Sequence, residues 1–364
     1  MRVLFIEDDR AVVEPTKKLL EAQGDKCIVV NFSDSEGELA SFQPDVVVLD
    51  LMGGAGSEDL DGNAGQRSFV SIRDKWFCPL IVYSANPDLF DNEYSKHPLI
   101  GKVTKGRDSE ELLLKRINDF KSCTDGISAV RQDVETVLHR TLRDLAPLIF
   151  SQPETGIPKE TVIQHMGRRR LSAHLDDGSI LRTKLAPWEH YIFPPLEGSL
   201  KLGDLLYIEK TDRTNPESYR LVLTPSCDLV RTPSREPIAN ILCARFEKAD
   251  VLFTKGNVSK KKDKLKNILS QGFIKEFIPF PGFPGLIPPM VANLKELELI
   301  ESKIIGDESA PGIQYLRIVS MDSPFREQIS WAYLNTGCRP GVPDRDFELW
   351  ASQYLPEAVG EAKK

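Results

Sequence analysis

Five short apolar runs, spread over the first 104 residues, constrain this chain more than any other feature. They are RVLFIE (2–7), CIVVNF (27–32), DVVVLD (45–50), PLIVYS (79–84) and LIGKVT (99–104), separated by stretches with helical patterning or loop chemistry. A strand buried on one face alternates apolar with polar residues, whereas these runs are continuous, so both of their faces are covered. Strands alternating with helices over roughly 120 residues predict a doubly wound α/β unit around a five-stranded parallel sheet.

In such a sheet the chemistry gathers at the carboxyl ends of the strands. Those ends carry Asp8 and Asp9 after the first run, Asp50 closing the third, Ser84 closing the fourth and Lys105 after the fifth. Three carboxylates, a hydroxyl and an ammonium are thereby expected in one crevice. Clustered aspartates repel one another and call for a cation, and a set of oxygen donors suits Mg²⁺. The alternative for the acids is structural: Asp8 and Asp9 cap the first helix and Asp50 caps a loop. That alternative leaves Ser84 and Lys105 unexplained.

Taken together, Asp8/Asp9, the aspartate of VVVLDLM, Ser84-Ala85 in VYSANP and the lysine of GKVTKGRDSEELL resemble the receiver domain of two-component response regulators over residues 1–122. The resemblance implies a flavodoxin-like sheet of strand order 2-1-3-4-5 and a phosphoryl group accepted on Asp50 from a histidine kinase. It also implies Mg²⁺ held by Asp9, Asp50 and the Met52 backbone carbonyl with Asp8 assisting, and phosphoryl oxygens contacted by Ser84 and Lys105. Phosphoryl transfer needs in-line positioning and neutralised oxygens, which a divalent ion and a lysine supply. The aspartate is the nucleophile and its acyl phosphate the stored signal.

The chain departs from the family pattern in three places. A longer acidic, glycine-rich segment, LMGGAGSEDLDGNAGQ, follows Asp50, where it is expected to adjust kinase access or acyl-phosphate lifetime. Gly106 replaces the proline that commonly follows the lysine, which puts the family's cis peptide in doubt. Lys102 stands where many receivers carry an aromatic residue, so the usual aromatic relay to a dimer face is expected to be weakened.

Charge narrows the function classes. The excess of 54 acidic over 47 basic side chains lies wholly within the first 124 residues, and the remainder is balanced. A chain built to bind a polyanion carries the opposite bias, so nucleic acid is an unfavoured partner. No apolar stretch has the length of a signal peptide core or a membrane span, and a cytoplasmic location is expected. Six scattered cysteines without a C-x-x-C pair, and five histidines without ligand spacing, point to reduced thiols and no structural metal.

Residues 125–178 read as a helical connector. The stripe Val130, Val134, Val137, Leu138, Leu142 and Leu145 marks a helix stopped near Pro147, either a dimerising signalling helix or one packed on the next domain. A second helix is expected over 158–176, where Arg168, Arg169 and Arg170 face solvent or an acidic partner; no helix-turn-helix arrangement surrounds them.

Residues 179–364 read as a β-rich barrel or sandwich. Its expected strands lie in ILRTKL, GDLLYIEK, SYRLVLTPSCDLV, PIANILCARF, KELELIESKI and IQYLRIVSMDSPF. The lysine run Lys260 to Lys262 is expected in a solvated loop, and FIPFPGFPGLIPP as an extended covering segment. Two spots carry candidate chemistry. One is Cys227 beside Asp228, a thiol that needs His174 or His190 to become a nucleophile. The other is the Arg326/Glu327, Arg339 and Asp344 region, where Asp322, Asp344 and Asp346 are the carboxylates available for a metal.

The layout of a receiver followed by a connector and a β-rich module also resembles receiver proteins of Detocs-type anti-phage two-component systems, which implies a phosphate sink in antiviral defence. On that reading the chain is a phosphoacceptor rather than an enzyme, its partners a cognate histidine kinase, another response regulator of the same system and a second copy of itself. Two other classes remain: an enzymatic C-terminal effector released by phosphorylation, and a nucleic-acid-binding regulator using Arg168–Arg170 and Lys260–Lys262.

Overall fold

The computed structural model describes residues 1–53, 64–90, 93–151, 156–176, 184–231, 236–253, 258–337 and 346–354. The chain divides into two compact units, Met1–Leu175 and Asp176–Lys364. Among the described residues no helix is long and apolar enough to cross a membrane.

In the first unit, β1 (Arg2–Ile6), β2 (Lys26–Val30), β3 (Val46–Leu49), β4 (Leu80–Ser84) and β5 (Ile100–Thr104) form one sheet in the order β2-β1-β3-β4-β5. Every pairing in it is parallel. This is the expected topology, and its cause is visible in the burial. Leu4, Ile6, Val47 and Leu49 enter one apolar cluster, while Val3, Phe5, Val46 and Val48 enter the other, so alternate residues of a continuous apolar run feed opposite faces. Each such side chain contributes about 1.5–3 kcal/mol on burial.

Helices α1 (Arg10–Ala22) and α4 (Ser109–Asp119) supply Val13, Leu20, Leu113 and Ile117 to one face. Helices α2 (Ser35–Phe42) and α3 (Ala64–Lys75) supply Leu39, Phe69 and Ile72 to the other.

Helix α5 (Lys121–Phe150) is 30 residues long and buries only Thr124 and Val137. Its first turns are tied to the sheet unit: the Ser128 hydroxyl donates to Asp45 at 3.2 Å, and the Arg131 guanidinium stacks 4.6 Å over the Trp76 ring. The helix ends at Phe150, within one turn of Pro147, near the expected stop. Proline lacks the donor for one bond to the preceding turn and its ring crowds that turn's carbonyl, so the helix does not continue far beyond it. Helix α6 (Lys159–Asp176) follows, and its His174 lies 3.4 Å from Asp133 of α5.

The second unit contains β6 (Tyr191–Ile192), β7 (Asp204–Ile208), β8 (Tyr219–Val222), the single-turn α7 (Ser226–Leu229), β9 (Asn240–Lys248), α8 (Val258–Gln271), β10 (Phe277–Phe280), β11 (Met290–Glu301), β12 (Ile305–Gly306), β13 (Tyr315–Met321), α9 (Phe325–Gly337) and α10 (Phe347–Tyr354). Among the described residues its eight strands form a sheet of order β10-β11-β9-β8-β7-β13-β12, with β6 also on β13. The pairings are antiparallel except for β12 on β13.

Among the described residues no pairing closes this order into a barrel, yet Tyr191 of β6, near one end, donates its hydroxyl to the Pro281 carbonyl just past β10, at the other, at 2.6 Å, so the sheet curls around one core. Short alternating strands look alike in open and closed arrangements, because closure depends on pairing rather than on pattern. Pro279 sits on the edge strand β10, where its missing donor is tolerated. The lysine run is corrected: Lys260 to Lys262 lie on α8, an exposed helix that buries only Ile268. The expected strand ILRTKL falls largely outside the described residues.

One face of this sheet buries Leu205, Tyr219, Phe246, Phe280 and Val319 against Ile329 and Ala332 of α9. The opposite face buries Leu206, Val222, Ile241, Cys243 and Ile300. Within the sheet lies a charged network. Arg317 forks onto Asp307 at 2.7 and 2.9 Å and reaches Asp204 at 3.5 Å.

Candidate functional site

Strand β1 ends at Ile6, one residue before the acids begin, and this register decides which carboxylate turns inward. Glu7 continues the alternation of Val3 and Phe5 and is 4% exposed. Its backbone N–H donates to Val30 at 3.0 Å, as a further rung beside β2. Asp50, 7% exposed, leaves β3 beside it, held by its own N–H donating to Ile6 at 3.0 Å.

Lys105, just beyond β5, bridges the two carboxylates. Its Nζ lies 2.5 Å from Glu7 Oε2 and 2.8 Å from Asp50 Oδ2. The other Asp50 oxygen accepts the Leu51 N–H at 2.7 Å. Burial by itself would lower Lys105, but the hydrogen bonds to Asp50 and Glu7 outweigh it and hold the ammonium above its ordinary value. Burial raises Glu7 above its ordinary carboxylate value, and Lys105 offsets part of that rise.

The expected acids at this end of β1 are Asp8 and Asp9, whereas the carboxylate that turns inward is Glu7. Asp9 is exposed and serves as the N-cap of α1, its side chain accepting the Ala11 N–H at 3.1 Å. The assignment of Asp9 as a pocket ligand is therefore corrected; the structural alternative describes this residue. Asp8 lies between them, half-buried. The strand's own alternation was the available signal: Val3, Phe5 and Glu7 share one side.

Ser84 closes β4 with 1% exposure, and its backbone carbonyl accepts the Lys105 N–H at 2.9 Å, aligning the ends of β4 and β5. Met52, half-buried, follows Asp50 by two residues. The acidic segment beyond it, residues 54–63, lies outside the described residues. Gly65, at the start of α3, packs directly on the exit of β3: a Cβ there would lie 2.5 Å from both the Asp50 carbonyl oxygen and the Leu51 Cα. Only glycine fits at that approach. Lys102 points to Asp88 at 3.7 Å, so a cation occupies the aromatic's place.

The donor set facing the pocket is oxygen only, and two buried carboxylates there share a single ammonium, which leaves surplus negative charge. Among the described residues no three His, Cys, Asp or Glu side chains stand ready as a metal cluster. Mg²⁺ does not require one, since it is held through one or two carboxylates with water and phosphate completing its shell. The residues present therefore fit such an ion.

The second unit's candidate spots are less gathered. Cys227 is exposed, with its Sγ 3.7 Å from Asp228 Oδ1. His174 belongs to the first unit and pairs with Asp133, while His190 Nδ1 meets the Pro187 carbonyl at 2.9 Å and its ring packs on Phe325. Asp322 accepts the Ser323 N–H and Asp346 the Leu349 N–H, both local turn or cap roles. Arg326 pairs with Glu327, and Arg339 and Asp344 lie outside the described residues. Arg168 to Arg170 lie along α6, on successive helix positions.

The thiols give a direct check on this burial. Desolvation pushes Cys78 and Cys243 up to about 12. Alkylation of the native protein at about pH 8 is expected to modify Cys227 at least about a hundredfold faster than either. Peptide mass spectrometry reads the rates, and comparable rates at Cys243 and Cys227 would contradict the packing of β9.

No family model and no curated protein matches the chain. Solved structures similar to it cover about a third of its length. They include a CheY-like response regulator receiver domain from Methylobacillus flagellatus, 19% identical over 34% of this chain and 98% of that one, with a TM-score of 0.27. Another is the N-terminal domain of a response regulator/sensory box/GGDEF three-domain protein from Carboxydothermus hydrogenoformans, 16% identical over 35% and 98%, TM-score 0.28. A third is the BeF3-activated N-terminal receiver domain of RstA from Klebsiella pneumoniae, 19% identical over 32% and 96%, TM-score 0.24. Likenesses of this degree carry no assignment; the fold stands on its own strand order and pairing.

Proposed function

We propose that the first unit is a phosphoacceptor receiver of a two-component phosphorelay and that Asp50 takes a phosphoryl group from a histidine kinase. The observation that carries this reading is the buried Asp50 carboxylate, placed at a strand's carboxyl end and bridged to Glu7 by one ammonium. A carboxylate kept only to stabilise the sheet gains nothing from a second buried acid beside it, because their mutual repulsion adds to the desolvation that each pays.

In the transfer, an Asp50 oxygen attacks phosphorus as the bond to the donor's imidazole nitrogen breaks, and the aspartyl phosphate retains the phosphoryl group. Lys105 exchanges its contact with the carboxylate for one with a phosphoryl oxygen. Ser84, at the end of the neighbouring strand, offers its hydroxyl to another. Mg²⁺, held by Asp8, Asp50 and the Met52 carbonyl, would supply neutralisation of the phosphoryl oxygens. Glu7 keeps Lys105 charged and aimed.

We infer further that the chain acts as a phosphate buffer in anti-phage defence, a reading that rests on the resemblance of its layout, a receiver followed by a connector and a β-rich module, to receiver proteins of such systems. An acceptor with no output of its own lowers the kinase's supply to other acceptors.

Incubation with a small phosphodonor such as acetyl phosphate and Mg²⁺ is expected to add one hydroxylamine-labile phosphoryl group per chain. Chelating the metal is expected to slow labelling at least about tenfold. No labelling under any donor would overturn the receiver reading, and equal rates with and without chelator would overturn the metal's part in it.

A further inference from the structure

Lys105 is aimed at two carboxylates from a turn with little intrinsic rigidity. The next residue is Gly106, the residue type with the greatest backbone freedom, and Asp108 adopts a left-handed φ of 64° before α4 begins. Glu7 and Asp50 hold the ammonium at its far end, and the turn that carries the side chain needs an anchor of its own.

Tyr83, the residue before Ser84 on β4, meets this turn in two ways. Its hydroxyl lies 2.8 Å from the Ser109 hydroxyl, and both residues are buried, at 2% and 4% exposure. Ser109 in turn exchanges two bonds with Gly106: its hydroxyl accepts the Gly106 N–H at 3.3 Å, and its own N–H donates to the Gly106 carbonyl at 3.3 Å. The Tyr83 ring also lies beneath the Lys105 ammonium, with Nζ 5.6 Å from the ring centroid, within reach of a cation–π attraction. The phenol thus touches both the side chain and the backbone anchor of the same lysine.

We propose that Tyr83 is a positioning residue for Lys105, its ring seating the ammonium and its hydroxyl, through Ser109, tying the Lys105–Ser109 turn to strand β4. A phenylalanine would fill the same volume of the apolar cluster around Val103 and Leu113. The buried hydroxyl is therefore not required for packing alone, and in the absence of Ser109 it would stand without this partner. The proposal rests on Lys105 serving the phosphoryl pocket, but its geometry is testable without any phosphoryl transfer.

The test is competitive acylation of lysines in the full chain with limiting acetic anhydride, read by peptide mass spectrometry, with Lys18 as reference. Lys18 is a 71% exposed side chain on α1. Tyr83→Phe and Ser109→Ala are each expected to raise the acylation of Lys105 relative to Lys18 roughly three- to tenfold. Tyr83→Leu, which also removes the ring, is expected to raise it further, and the two conservative variants decide the matter if Tyr83→Leu does not fold.

If Tyr83 only fills space, Tyr83→Phe leaves the Lys105 to Lys18 ratio unchanged, and that result overturns the proposal. Where the wild type accepts phosphoryl groups from acetyl phosphate, Tyr83→Phe is expected to lower the maximal labelling rate by a similar factor with an unchanged half-saturating donor concentration. A wild type that accepts none removes the receiver reading, while the acylation ratio still decides the role of Tyr83.

Discussion

Replacing Arg317 by alanine is expected to destabilise the second unit by about 3–5 kcal/mol at neutral pH, the loss that follows when one partner of a buried ion pair is deleted. The Arg317 and Asp204 side chains are 1% and 0% exposed, and the arginine also reaches the Ser199 carbonyl at 3.3 Å. Asp204 accepts the Ser320 hydroxyl at 2.6 Å and the Lys201 N–H at 2.8 Å, so it is hydrogen-bonded but depends on Arg317 for countercharge. Burial raises its carboxyl above the ordinary value of 3.8, with Ser320, Lys201 and Arg317 each opposing that rise.

The sign of the pH dependence follows. An acid whose folded-state pKa is raised binds more protons folded than unfolded, so stability falls as pH climbs from 3.8 through the folded pKa. Without Arg317 that pKa rises further and the falling window extends upward. The penalty of Arg317→Ala is therefore expected to be larger at neutral pH than near the ordinary aspartate value. Amide exchange across β7 and β13 reads this unit by itself. Adding Asp204→Asn to Arg317→Met is expected to recover part of the loss. A penalty under about 1 kcal/mol, or one independent of pH, would contradict the network's role.

The sheet of the first unit was legible because strands buried on both faces are apolar without interruption. RVLFIE, DVVVLD and PLIVYS each lie within one residue of the strands they predict. Parallel order followed from the helices between them. The pocket was legible in part: Asp50, Ser84 and Lys105 stand at strand ends. Glu7 is not legible as the inward acid from three consecutive carboxylates alone, because which one turns inward is decided by where β1 ends. Asp9, directly before a helix, carried the marks of an N-cap and is one.

In the second unit, element types were legible and their assembly was not. Strand pairing is a long-range property, and the order β10-β11-β9-β8-β7-β13-β12 leaves no trace in local alternation. The lysine run on α8 is a different case. Val258, Leu265, Ile268 and Leu269 do fall at helical spacing, but the lysines between them dominate the composition, so the stretch reads as a polar insertion.

Replacing Asp50 by asparagine removes the proposed nucleophile while keeping the side chain's size. Its amide retains one oxygen for Lys105 or for the Leu51 N–H. The fold should survive, since the core faces above and below the sheet are untouched, whereas an amide cannot form the acyl phosphate. In a cell, loss of an acceptor that only buffers phosphate is expected to raise the pathway's output, and a fall in output would mark the chain as an effector.

The most direct measurement is intact-mass analysis of the wild type and Asp50→Asn after incubation with a phosphodonor and Mg²⁺, followed by peptide mapping of any label. The wild type should gain one phosphoryl group, mapped to the peptide that contains Asp50, and the variant none. Equal labelling of Asp50→Asn, or a label mapped to another residue of the wild type, would contradict the assignment of Asp50 as phosphoacceptor.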